Sequence, residues 1–200
     1  MPRIPYLPAD ISEPKDLVDA IRFRRGGSLL NLDRELLYSP PFARGWNIFL
    51  KEVREGLTLS SKLRELAICV VAVLNGAEFE FHVHGPEFIK AGGTQTQVDA
   101  LRQLEIANDT DDLFDDLERA TIQLTIEMTR QVNVSEATFQ NIQKLLPEHQ
   151  HVVELVGVIA TYNMVSRFLV ALDIQPDAPE NRAKKIDTAW GTETLSKPAN

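Results

Sequence analysis

From Ser60 to Leu74 the apolar residues Leu63, Leu66, Ala67, Val70, Val71 and Leu74 follow the i, i+3, i+4, i+7, i+8, i+11 spacing of a helix face. The opposite side of the same segment carries Glu65, Ile68, Cys69 and Ala72. A surface helix would be polar there, so the pattern predicts a central helix over 62–75, capped by Ser60 or Ser61. Before it, "LLNLDRELLYS" (29–39) reads as a short helix stopped by Pro40 and Pro41. "PFARGWNIFLKEVREG" (41–56) reads as a helix opened by proline and closed by Gly56.

After it, Gly92 and Gly93 end a segment and Thr94 caps the next. "NDTDD" (108–112) reads as a loop and acidic N-terminal cap for a long helix to about Gln131. Ser135 caps "EATFQNIQKLL", and Pro147 opens a helix to about Leu172 that is apolar nearly all round. The chain thus divides into an extended arm (1–14, with four prolines), a single helical domain (15–174) and a polar tail (175–200) anchored by Trp190. The fold class is all-α, with about seven or eight helices.

One stretch resists this reading. "NGAEFEFHVHGPEF" (75–88) alternates polar and apolar residues as a half-buried strand would. A lone strand has no ladder partner, which favours helix. On a helix Glu80 and His84 share a face at i, i+4, as do Glu78 and His82, while Phe81 and Phe88 flank the side of His84. A carboxylate beside an imidazole tunes it for proton transfer, but the same spacing describes an ordinary surface ion pair. Gly85-Pro86 predicts a kink just after His84. Glu65, among apolar neighbours, must meet a partner, have a raised pKa, or simply sit at its helix dipole.

Composition narrows the function classes. The 200 residues suffice for a sizeable core, and the formal charge of −8 argues against a nucleic-acid surface. The basic cluster "RFRR" (22–25) reads as a solvated turn or as a contact for an anion or a neighbouring subunit. No run reaches the roughly 18 apolar residues of a membrane span, so no membrane partner is expected. The start "MPRIPYLPAD" is proline-broken and does not read as a signal peptide. One cysteine, Cys69, excludes an intramolecular bridge and fits a reducing, cytoplasmic setting. No metal is expected, because His82 and His84 diverge by about 200° on a helix and cannot share an ion; "EHQH" (148–151) has the same defect and reads as exposed.

The segment "LRELAICVVAVLNGAEFEFHVHGPEFIKAGG" resembles the core signature of the carboxymuconolactone decarboxylase and alkylhydroperoxidase D superfamily. The matching positions are Glu65, Glu80, His84, Ala91 and Gly92. The flanks "RIPYLPADI" and "VELVGVIATYNMVSRFLVALDIQP" are also similar to that superfamily. The resemblance implies a helical stretch at 77–84. It implies trimers or hexamers whose contacts bury the second apolar faces of helix 62–75 and the last helix. It also implies a small-molecule acid or lactone substrate and no cofactor. Peroxidase members carry Cys-x-x-Cys seven and four residues before the histidine, where this chain has Ala77 and Glu80. A dithiol route needs an attacking and a resolving thiol, and Cys69, mid-way along an apolar helix, reads as inert core.

The leading reading is a cofactor-independent decarboxylase or isomerase. In it His84 is the proton donor or oxyanion partner, Glu80 orients it, and Glu65 is a second acid or base of raised pKa. Phe81 and Phe88 would be pocket walls or, equally, ordinary core, and His82 would bind the substrate carboxylate or, equally, be a surface or interface residue. A peroxidase-type oxidoreductase and a non-catalytic helical oligomer stand as alternatives.

Overall fold

The computed structural model describes residues 1–104 and 113–177, and among these every regular element is a helix. By internal contacts the chain divides into two compact units, Met1–Phe49 with the residues from Ile174, and Leu50–Asp173.

The first unit holds α1 (Lys15–Arg25), α2 (Asn31–Leu36) and most of α3 (Pro40–Lys51). The apolar pattern did not single out α1, which buries only Leu17, Val18 and Ile21 along one narrow stripe. It ends where Gly26 takes φ 73°, and Gly27 N–H closes on the Arg22 carbonyl at 2.8 Å. The cluster at 22–25 is not a turn but the end of α1, and its arginines have partners within the unit. Arg22 donates to the Ala9 and Ile11 carbonyls of the proline-rich arm (3.0 and 2.8 Å). Arg25 pairs with buried Asp33 at 3.0 Å. Tyr38 O–H donates to the Pro5 carbonyl (2.7 Å), and Gln175 N–H donates to Tyr6 Oη (2.8 Å). Local arginines and tyrosines thus fix an arm that forms no helix or strand and has one hydrogen-bonded turn, Ile11 N–H to the Pro8 carbonyl at 3.2 Å.

The second unit is built around α4 (Ser61–Leu74), which packs against α5 (Glu78–Lys90), α7 (Asp116–Arg130) and α9 (His149–Leu172). Every residue from Glu65 to Ala72 is buried. The two-sided apolarity of α4 is therefore satisfied within one chain, and no subunit contact is needed to explain it. Ser60 occupies the position before α4, but its side chain makes no capping bond. Leu66, Cys69, Val70, Phe81, Phe88, Val98 and Leu101 form a core shared by α4, α5 and α6 (Gln95–Leu101).

Thr94 caps α6 as expected, its Oγ1 accepting from Gln97 N–H at 3.1 Å. Asp115 caps α7 (2.8 Å to Glu118 N–H), and Ser135 caps α8 (Glu136–Leu145) at 3.3 Å from Thr138 N–H. The "NDTDD" segment and Trp190 lie outside the described residues. The α9 helix is long and apolar enough to cross a membrane by length and composition alone. Half of its most apolar window is packed inside the protein, through residues such as Leu155, Val158, Ile159 and Leu169.

Two departures from regular helix bear on the site. The alternating stretch is helical, and α5 runs from Glu78 to Lys90 with Pro86 inside it. Proline removes one donor from the ladder, and the flanking turns hold the helix together. At the other end of the site, α3 does not continue as α-helix to Gly56: Glu52–Gly56 form a π-helical turn. Such a turn spans one residue more than an α turn, so residues beyond it are rotated by about 100° from an α-helical continuation. Arg54 lies on this turn.

Candidate active site

Glu65 and His84 are 19 residues apart and meet in the interior of the second unit. His84 Nδ1 lies 2.6 Å from Glu65 Oε2, and His84 Nε2 lies 3.3 Å from Glu80 Oε2. The first contact is an aligned, charge-assisted hydrogen bond. The second is an ion-pair contact only: Glu80 Oε2 is buried and has no hydrogen-bond partner. All three residues are buried. The α4 helix supplies Glu65 from its second turn, and α5 supplies Glu80 and His84 one turn apart.

Burial works against a charged imidazole, but Tyr162 and the two carboxylates outweigh it, and the His84 pKa is held well above its usual value. Burial likewise works against the Glu65 carboxylate, and is outweighed by His84 and Arg64, so its pKa is lowered. The expected upward shift of Glu65 is therefore reversed. Its partner decides the sign, because an adjacent cation within hydrogen-bond reach exceeds the desolvation cost. Both shifts favour the imidazolium and carboxylate form of the pair. Both ring nitrogens face carboxylates, so neither offers a lone pair to a metal ion.

Two further residues complete the cluster, and the sequence reading missed both. The Tyr162 ring, on α9, stands edge-on to His84, with centroids 5.1 Å apart and planes at 85°. Its hydroxyl oxygen accepts from Arg54 Nε–H at 3.0 Å. A tyrosine in a helix that is otherwise apolar needs a partner for its hydroxyl, and that was the available signal in "ATYNM". Nothing in "KEVREG" marks Arg54, because its position depends on the π turn.

The other expected site residues lie elsewhere. His82 is exposed on the outer face of α5. Phe81 and Phe88 are core residues, and the Phe81 ring is covered by the Arg102 guanidinium at 4.2 Å. The aromatic ring at His84 is instead that of Tyr162. Cys69 is fully buried and its thiol pKa is pushed far up by burial, with Glu65 and Glu80 adding to it. Ala77 and Glu80 occupy the two positions where a cysteine pair would stand. A cleft of about 490 Å³ lined by Leu104, Phe114, Arg119 and Lys144 shares none of these residues; chemistry, not volume, assigns the site.

Residues 40–121 match the model of the Carboxymuconolactone decarboxylase family. No curated protein matches the sequence. Among solved structures, an uncharacterized peroxidase-related protein from Ralstonia eutropha JMP134, described as an alkylhydroperoxidase AhpD core, superposes with a TM-score of 0.74 at 15% identity. That match covers 92% of this chain and 97% of the other. A peroxidase-related protein from Silicibacter sp. TM1040 gives 0.69 at 18% identity, covering 90% and 91%. A cysteine-to-alanine variant of the debrominase Bmp8, in complex with 2,3,4-tribromopyrrole, gives 0.69 at 16% identity, covering 90% and 93%.

The family match spans residues 40–121, and the all-helical fold is shared with the alkylhydroperoxidase D-like structures.

Proposed function

We propose that the chain is a cofactor-independent lyase or isomerase of a small unsaturated carboxylic acid or lactone, with Glu65, Glu80 and His84 as its acid–base centre. The observation that supports this most is the buried His84 imidazolium held between one tightly bonded carboxylate and one loosely held one. In decarboxylation, the electron pair left by departing CO2 spreads onto a conjugated carbonyl oxygen, and a proton then returns to carbon. His84 supplies that proton from Nε2. Glu65 keeps the Nδ1 proton and fixes the ring, the orienting role the sequence reading gave to Glu80. Glu80, with its unbonded Oε2, is the group able to accept a proton, so an isomerisation would use Glu80 as base and His84 as acid.

The superfamily's thiol route is not open to Cys69, which is buried, has no second thiol, and belongs to the core. The experiment is a screen of unsaturated lactone acids, read by CO2 release and by deuterium incorporation from solvent. His84→Gln and Glu80→Gln each lower the turnover of a hit by about 10²–10⁴-fold. Turnover that survives both substitutions overturns the assignment. So does a peroxide reduction that Cys69→Ser alone abolishes.

A further inference from the structure

Arg54 uses one of its five N–H donors inside the protein. Nε–H goes to Tyr162, and among the described residues neither terminal amino group makes a hydrogen bond. Tyr162 is 1% exposed, and its hydroxyl accepts from Arg54 but donates to no described residue. Arg54 itself is only partly buried, between exposed Glu52 and Glu55 on the π turn. A guanidinium fork thus runs from solvent to a buried hydroxyl, and that hydroxyl's ring stands against His84. The cluster holds two acidic side chains, Glu65 and Glu80, against three basic ones, Arg54, Arg64 and His84. One basic group is left without an acidic counterpart.

We propose that Arg54 and Tyr162 form the substrate's carboxylate-binding half-site, in which the two terminal amino groups of Arg54 grip a carboxylate and the Tyr162 hydroxyl donates a third hydrogen bond. This rests on the acid–base reading of His84 and deepens it. Planar guanidinium matches carboxylate geometry two-for-two, and its Nε bond to Tyr162 fixes the fork before substrate arrives. The bound carboxylate is a handle and not the departing group. A cation on a departing carboxylate would stabilise the ground state more than the transition state, in which that charge is leaving. Substrates are therefore acids whose reacting bond lies away from the gripped carboxylate, on the His84 side.

Binding tests this without turnover. But-2-enoate and its uncharged methyl ester are titrated calorimetrically into the full chain and into Arg54→Gln, Arg54→Lys, Tyr162→Phe and His84→Gln. Expected is acid binding that exceeds ester binding by about tenfold or more, lost in Arg54→Gln and only partly kept by Arg54→Lys, whose ammonium is a point charge without a fork. Tyr162→Phe weakens the acid by a smaller factor, about three- to tenfold, for one neutral hydrogen bond. Ester binding stays level across the Arg54 variants, which reports that the fold is intact. Equal affinity for acid and ester, acid binding indifferent to Arg54→Gln, or no saturation of the unmodified chain by about 20 mM acid overturns the proposal. His84→Gln separates the two readings: carboxylate binding within about threefold of the unmodified chain upholds the half-site even if no lyase activity is found.

Discussion

Glu65 and His84 form a buried ion pair of 2.6 Å across two helices, and their charges are mutually dependent. At pH 7.5 the His84 ring carries protons on both nitrogens, visible as two protonated imidazole ¹⁵N shifts. Glu65→Gln removes the stronger of its two carboxylate contacts, so the His84 pKa falls in that variant. A His84 ring that is neutral at pH 7.5 in the unmodified chain would remove the proton donor from the proposed reaction.

The same pair sets how stability varies with pH. The folded-state pKa of His84 lies above its unfolded value of 6.5, so its contribution is complete below about pH 6.5 and is lost as pH rises through the folded value. The folded-state pKa of Glu65 lies below 4.5, so its contribution is present above about pH 4.5 and is lost as pH falls further. Denaturant midpoints should therefore be highest between these limits and decline on both sides. His84→Gln flattens the alkaline limb.

Cys69 has no chemical task in this arrangement. The native chain should not react with an aromatic disulfide reagent, and should release one thiol equivalent when unfolded in guanidinium. Cys69→Ala leaves turnover of any substrate found by the screen unchanged. Its stability falls by about 1–2 kcal/mol, for a small cavity beside Val70 and Leu66. Rapid labelling of the native protein would contradict its place in the core.

Gly93 is present for space. A Cβ there would stand 2.5 Å from Phe88 Cε1, and Phe88 is fully buried and cannot withdraw. Gly93→Ala should cost about 1–3 kcal/mol by overpacking, and Phe88→Ala about 3–5 kcal/mol by leaving a cavity. Chemical unfolding measures both. In the double variant the methyl added at position 93 finds room, so the summed cost is not reached.

Glu127 ties α7 to the start of α8. Thr138 Oγ1 donates to it at 2.6 Å, Ser135 N–H at 2.7 Å and Gln123 Nε2 at 2.9 Å, and these bonds draw its pKa down to about 2. Its contribution is present above the ordinary carboxylate value and fades as pH falls from about 4.5 towards 2. Glu127→Gln places an amide donor against donors, so stability at pH 7 should drop by about 1–3 kcal/mol while the acid limb of the pH profile becomes shallower.

Helix positions were legible wherever one face repeated strongly or a capping residue preceded the run, as at Leu63 to Leu74, Thr94 and Ser135. The burial of Glu65 was legible for the same reason, but its pairing was one of three outcomes the sequence left open. Its protonation was not legible, because that depends on how close a histidine from another helix comes. The α1 helix escaped notice because three buried positions make a faint stripe. The π turn escaped because helical periodicity assumes a fixed turn, and Arg54 went with it. The place of His82 was left open between substrate contact and surface, because polar residues two apart read alike until the helix shows which one faces inward.

The π turn also makes the site sensitive to chain length. It holds one residue more than the α-helical turn it replaces. Losing a single codon between positions 52 and 56 would let the helix close normally and swing the guanidinium about 100° away from the tyrosine. A bundle of otherwise unchanged topology would then have an uncapped phenol and no basic group in excess of Glu65 and Glu80, so gain or loss of anion recognition is one small deletion away.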